Sequence, residues 1–478
     1  GQQAICLLCK PNNYQGLNMK RLKTITNNSN MRYLNKVKYL LLVLVLGSCN
    51  PMAKLTAPDK SIYEPRKAEQ REQVYNREAD FDKMDSNGDG YLSPNEYNGT
   101  AALFADMDTD GDKRLTKSET ATMMTFAEIP AGTFMMGSAT PIRAFFEPAA
   151  DCTPLHQVKL DPFKMSATEV TNAQYVMFLN AALKTGKIDV RKSSVSNNQT
   201  RLNYPVPAYA VYGPAGSKYE GKPYIHLSPV APLSHHKMDN GLLLPEHPLN
   251  ISWIIYLPKP QKFVVHEGFE DWPVCHIKWW GAMAFAEYYG RSLPTEAEWE
   301  YTAKGGKGYI FPTHDGLNDG KRSNYACYNV LGVPSSRFKG ADNPEDYIGF
   351  RFTVGSYPPN PFGVYDMAGN VWEWCYDWYG ETYYQHCIDN NITNNPLNLD
   401  GEDPSFVTLT EGYKEGLTGG PGQVFSHDAR VCRGGSWNYH EAVTRSEYRF
   451  PVYSFVGNDH FGFRVVLRSS SVVFNGTD

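Results

Sequence analysis

The phrase Phe81-Asp82-Lys83-Met84-Asp85 returns 23 residues later as Phe104-Ala105-Asp106-Met107-Asp108, and each copy opens a twelve-residue stretch rich in oxygen-bearing side chains. The first stretch sets Asp85, Asn87, Asp89 and Ser93 at positions 1, 3, 5 and 9, Gly90 at the sharp turn, and Glu96 at position 12. With the carbonyl of Tyr91 at position 7, this spacing wraps hard oxygens round one point, as a calcium-sized cation requires. An acidic spacer is the bland alternative, but it has no reason to repeat in register.

Both stretches read as EF-hand loops, and residues 77–124 as a small α-helical EF-hand pair. The second loop offers Asp108, Asp110, Asp112, Thr116 and Glu119 with the carbonyl of Arg114, but Lys113 stands where glycine is expected. That side chain has to accept a positive φ and brings a cation near the ion, so weaker binding is expected. Leu92 and Leu115, both at position 8, should join the loops through a short β-bridge. The eleven residues between the loops leave room for one shared helix. That is tight for a groove-opening sensor, so a structural or low-affinity extracellular calcium site is expected.

Ahead of the pair, Lys36 and Lys38 precede the apolar run Leu40–Leu46, which ends in Gly47-Ser48-Cys49. The run is well short of the ~20 residues that span a bilayer and suits a cleaved lipoprotein signal. Residues 1–48 are thus read as signal and upstream segment, with the start at Met31 or Met19, and Cys49 as the lipidated residue. A membrane attachment and an extracytoplasmic place in a bacterial cell envelope follow. Residues 49–76 read as a tether. The first 48 residues carry seven Lys/Arg and no acid, which leaves 39 basic against 51 acidic residues from Cys49 onward. No Lys/Arg cluster follows, which argues against nucleic acid as a partner. Six cysteines follow Cys49, none in a CxxC; the exported compartment permits disulfides, and their pairing stays open.

From residue 126 to about 468 aromatics and glycines rise and turn residues recur every few positions, the pattern of an α+β domain with much ordered loop. Thr171 with Gln174 and Thr295 with Glu298 form capping boxes ahead of two helices, the second ending at Gly305. A third helix is expected over Ala282–Tyr289. Trp372 and Trp374 alternate as on a strand that buries one face. Residues 185–270 and 380–428 read as insertions shaping a ligand surface, and residues 469–478 as a tail.

Six ordered motifs carry a resemblance: Phe126–Ser138 (FAEIPAGTFMMGS), Glu169–Asn172 (EVTN), Arg291–Tyr301 (RSLPTEAEWEY), Pro361–Trp374 (PFGVYDMAGNVWEW), Arg433–Trp437 (RGGSW) and Gly462–Val466 (GFRVV). In that order they resemble the formylglycine-generating enzyme (sulfatase-modifying factor) family. The resemblance implies an irregular fold related to C-type lectins. It also implies two structural calcium sites, one from Asp366 and Glu373 with the carbonyls of Gly369 and Val371. The other would use Asn324 and Asp346 with the carbonyls of Tyr325 and Ile348. Read without the family, Asp366 and Glu373 are also compatible with plain surface acids.

The family's oxidase holds copper(I) through two cysteines just after the Gly-Gly-Ser motif, and counting along this chain those positions fall on Tyr439 and Thr444. A phenol and a hydroxyl do not replace soft thiolates. The resemblance therefore implies calcium and no copper, and no formylglycine formation. Arg445-Ser446-Glu447-Tyr448-Arg449 resembles relatives without the cysteine pair, among them gliding-motility and secretion lipoproteins, lectin-like binding proteins and some enzymes of other chemistry, such as the pyoverdine-maturation type. A binding or assembly module for an envelope protein or glycan is expected, with Ser436, Trp437, Tyr439, His440 and Arg445 as the contact surface. The alternative is a sulfatase-modifying oxidoreductase with an unorthodox site, or another metal-dependent oxidase of the same family with its metal at His440 and neighbours. His235 and His236 have no third ligand at metal spacing and read as a solvated loop.

Overall fold

The computed structural model describes residues 77–108, 111–117, 119–143, 149–193, 208–227, 235–237, 243–245, 252–317, 353–401, 428–437, 439 and 441–469. The signal segment, Cys49, the tether, Asp110, Asn324, Tyr325, Asp346, Ile348, His440 and residues 470–478 lie outside them. Lys67–Asp478 form one compact unit.

Helix α1 (Arg77–Met84) enters the first loop, and α2 (Ala101–Met107) links it to the second. Thr100 caps α2 by accepting from the Leu103 N–H, and its apolar residues Leu103, Phe104 and Met107 are buried. Leu92 and Leu115 exchange both backbone hydrogen bonds at 2.9 Å, forming the expected bridge. A 3₁₀ turn (Glu119–Thr122) then leads directly into the larger domain.

The domain alternates short strands with few helices. Strands β1 (Phe126–Ile129), β2 (Gly132–Met136), β3 (His156–Leu160) and β4 (Phe163–Ser166) come first. Helix α3 (Asn172–Lys184) follows, its capping box formed by Thr171 and Gln174 as the spacing predicts. Residues expected to be an open insertion instead build β5 (Asp189–Ser193), β6 (Ala208–Tyr212) and β7 (Pro223–His226), an antiparallel sheet, and the hairpin β8 (Ile254–Leu257) and β9 (Lys262–Val265). Val211, Ile225, Ile254 and Phe263 from these strands are fully buried in the main core. Turn residues are frequent in this segment, yet its alternating Val, Ile and Tyr are sufficient to bury a sheet face.

Helix α4 (Trp279–Tyr288) starts three residues before the expected point, with Lys278 as its N-cap. Helix α5 (Glu296–Ala303) carries the second capping box, with Gly305 at φ +60° just beyond its end. Strand β10 (Trp372–Trp378) lies at the centre of the largest sheet, between β11 (Ala429–Arg433) and β13 (Phe461–Gly462), and β12 (Phe450–Tyr453) pairs with the outer edge of β11. Helix α6 (Tyr383–Asp389) follows β10. The final strand β14 (Val466–Arg468) returns to pair with β4 beside β1.

Both faces of the β10 sheet are buried, not one. Trp372, Trp374 and Cys432 face the cluster that includes Tyr175, Phe285 and Phe463. Cys375 and Val431 face a second cluster with Trp299 and Tyr384. Because Trp374 and Cys432 are cross-strand partners, Cys375, one residue on, points to the opposite side.

Candidate functional site

The first loop is held in its turns by its own oxygen-bearing side chains. Asp85 accepts N–H groups from Gly88, Asp89 and Gly90, Asn87 accepts from Asp89, and Asp89 accepts from Tyr91, so every turn is tied by an acidic or amide oxygen. Gly88 and Gly90 take positive φ at +71° and +81°. The Ser93 N–H and hydroxyl, with Ser86 behind them, hold the exposed Glu96 carboxyl down to about 2, so it is ionised at any physiological pH. The second loop repeats the mesh: Asp108 accepts from Gly111 and Lys113, Asp112 from Arg114, and Glu119 from Thr116. Lys113 adopts φ +66°, the left-handed geometry expected of a residue standing in for glycine.

Among the described residues no three His, Cys, Asp or Glu side chains converge as a ready-made ion cage. In the first loop the acids are turned onto its own N–H groups. The donor set nevertheless fits a hard cation: Asp85, Asn87, Asp89, Ser93 and Glu96, with the Tyr91 carbonyl, supply oxygen alone.

The site at Asp366 and Glu373 fits an ion less well. Glu373 is fully buried and both its oxygens are engaged: Arg464 donates to them at 2.5 and 2.7 Å, and the Trp299 indole N–H donates to Oε2 at 2.7 Å. Asp366, at φ +57°, accepts the Gly355 N–H. Burial, followed by the charge of nearby Glu373 among weaker influences, pushes its carboxyl up to about 7. Glu169, also buried, accepts from the Asn370 amide at 3.0 Å, and burial and then Asp366 push it well up. Three carboxyls therefore share one guanidinium. Calcium ligation by Glu373 would require it to release Arg464.

Tyr439 and Thr444, the positions to which the resemblance assigns the family's two thiols, are packed as a plug. Thr444, on a 3₁₀ turn (Glu441–Thr444), is fully buried, and its hydroxyl donates to the Glu441 carbonyl at 2.8 Å. Gly435 sits at φ +73° against it; a Cβ there would lie 2.9 Å from Thr444 Cγ2. The half-buried Tyr439 ring packs edge-on against Trp372 (5.4 Å), Phe450 (6.0 Å) and His460 (5.6 Å). Ser436 is fully buried and Trp437 nearly so, its indole donating to the Asp459 carbonyl at 3.3 Å. The expected contact surface is corrected accordingly: Ser436 and Trp437 belong to the interior, because the two glycines turn the chain inward before them. Of the described members, Tyr439 and Arg445 retain exposure, with Arg445 over the Phe311 ring and 3.7 Å from Glu447. Cys152, Cys275, Cys375, Cys387 and Cys432 are buried, and Cys432 faces Trp374 inside the core.

Sequence reasoning overlooked the charges buried behind this plug. Helix α5 carries Glu296, Glu298 and Glu300, paired with Arg449, Arg468 and Arg433 respectively, and Lys304 adds a 2.8 Å contact to Glu300. A charge inside an otherwise apolar motif is the signal for such a pair, since it enters the core only with a partner.

Residues 112–469 match the sulfatase-modifying factor enzyme 1-like domain, and residues 79–98 match the EF hand. The chain is 34% identical over 260 residues to the formylglycine-generating enzyme of Streptomyces coelicolor, covering 54% of this chain and 69% of that one. It is 32% identical over 203 residues to the serine/threonine-protein kinase pkn1 of Chlamydia pneumoniae, covering 42% of this chain and 25% of the kinase. The solved structure of PvdO from Pseudomonas aeruginosa aligns over 73% of this chain and 98% of its own, at 20% identity and a TM-score of 0.38. With three quarters of its length inside the matched domain, the chain belongs to the sulfatase-modifying factor enzyme 1-like family and carries an EF hand ahead of that domain.

Proposed function

We propose that this protein is a calcium-binding lipoprotein of the bacterial cell envelope whose formylglycine-generating-enzyme-like domain is a binding or assembly module without oxidase activity. One observation carries the reading: Thr444 is buried and Tyr439 is wedged among Trp372, Phe450 and His460 where the family's copper thiols would stand. Soft-metal redox chemistry needs thiolates there, and an aromatic plug offers none. The match to a quarter of a kinase's length supports a domain that serves in other protein contexts. Tyr439 and Arg445 form the remaining exposed contact point, facing an envelope protein or glycan, and Cys49 holds the chain to the membrane.

The test is metal analysis and turnover on one preparation. The purified protein is expected to contain calcium and no stoichiometric transition metal, and after copper loading to leave a sulfatase-type cysteine peptide unchanged. Conversion of that peptide to its aldehyde overturns the reading. Metabolic labelling with a fatty acid, lost in Cys49→Ala, tests the anchor.

A further inference from the structure

We propose that the EF-hand pair is an internal brace: the larger domain's own helix α3 covers its apolar face, and calcium in the first loop stabilises the whole docked assembly. This rests on the calcium reading above and extends it to what the ion does.

The junction has no slack. Only residues 123–125 separate the 3₁₀ turn that follows the second loop from strand β1, and Met123 and Met124 are buried. The Gln174 amide, part of the α3 capping box, donates to the Met123 carbonyl at 3.2 Å. The Ala167 N–H donates to the Thr125 carbonyl at 2.9 Å, and the Thr122 hydroxyl lies 3.4 Å from Met177 Sδ on α3. Thus the exit of the second loop and the entry of α3 share partners.

The apolar contact is continuous as well. Phe81, Leu103 and Met107 from the pair lie in one buried cluster with Tyr175, Phe178 and Leu179. The buried Arg291 guanidinium donates to Met124 Sδ at 3.1 Å and stacks 4.1 Å from the Phe126 ring, and Asp106 faces Tyr289 and Lys184. A calcium sensor keeps this face available for a target helix; here the domain supplies that helix itself. Leu92 and Leu115 join the loops back to back, so an ion ordering the first loop also orders the second and, through it, the junction. Binding to a site assembled only in the folded state adds to folding stability.

The experiment uses the protein from the tether onward, with calcium or with chelator. Titration calorimetry reads binding, thermal unfolding reads the domain, and hydrogen exchange reads residues 172–184. At about a hundredfold excess over its dissociation constant, calcium is expected to raise the main transition by roughly 5 °C and to slow exchange across α3. Glu96→Gln should abolish both effects. Met177→Lys, at a half-buried position on α3, should leave calcium heat intact while the shift of the main transition is lost. Calcium heat with α3 exchange and the main transition unmoved overturns the brace alone. Absence of calcium heat from the wild type overturns the brace and the calcium reading together.

Discussion

Replacing Arg464 or Glu373 separates two roles for the same carboxylate, counter-ion and metal ligand. Arg464→Met removes two bonds to Glu373 and those to the Ser166 and Tyr365 carbonyls at 3.1 and 2.9 Å. It also leaves Glu373 beside Asp366 and Glu169 with no guanidinium among them. Breaking a fully buried pair this way costs about 3–5 kcal/mol, which lowers the melting temperature of a domain this large by on the order of 10 °C. Glu373→Gln keeps the shape and an acceptor for Trp299, and Arg464 keeps the Ser166 and Tyr365 carbonyls as acceptors. Its cost should be nearer about 1–3 kcal/mol, that of a weakened buried hydrogen-bond set. Thermal unfolding of both variants, with calcium per chain counted by atomic absorption, reads the difference. Equal destabilisation, or the loss of one calcium per chain in Glu373→Gln, would refute the assignment of Arg464 as the counter-ion and restore Glu373 as a ligand.

Three further outcomes follow from single residues. Burial and the charge of Glu296 push Asp377 up to about 7, while the unfolded chain releases that proton near ~3.9. The folded state therefore binds more protons in between, and stability falls as pH rises through that window. Burial presses Lys278 down to about 7, so above it the unfolded chain holds the extra proton and stability rises toward ~10.4. Urea midpoints against pH should flatten on the acid limb in Asp377→Asn and on the alkaline limb in Lys278→Met. Lys113→Gly removes a left-handed side chain and a cation from the second loop. It should tighten calcium there about threefold at low salt, less at high salt, with the first loop unchanged in calorimetry.

Local signals were legible where a few adjacent residues decide the geometry. Both capping boxes, the Leu92–Leu115 bridge, and the positive φ at Lys113 were all readable from spacing, because each is settled within a dozen residues of chain or by one loop register. The sheet of β5, β6 and β7 was not readable, since its turns mask alternation that matters only once Val211 and Ile225 find the core. Nor was the inward turn at Ser436: Gly434 and Gly435 announce a tight approach, but only the fold shows that Trp299 and Thr444 occupy the space. The docking of the EF-hand pair was hidden for a related reason, because two domains contiguous in sequence give no local sign of a shared core.

Several charged residues of the motifs that carry the family resemblance fasten the core. Glu296, Glu298 and Glu300 on α5 pair with Arg449, Arg468 and Arg433, and Glu373 pairs with Arg464. Each partner stands in another motif or on the last strand, so these contacts fasten distant segments of chain into one core. Losing one of these arginines leaves a buried carboxylate without its partner, a penalty of several kcal/mol that falls on folding. Tyr439 and Thr444 carry no such charge: the buried Thr444 hydroxyl finds the Glu441 carbonyl, and Tyr439 adds aromatic area against Trp372. The scaffold is thus held by its charge pairs, while Tyr439 and Thr444 contribute packing.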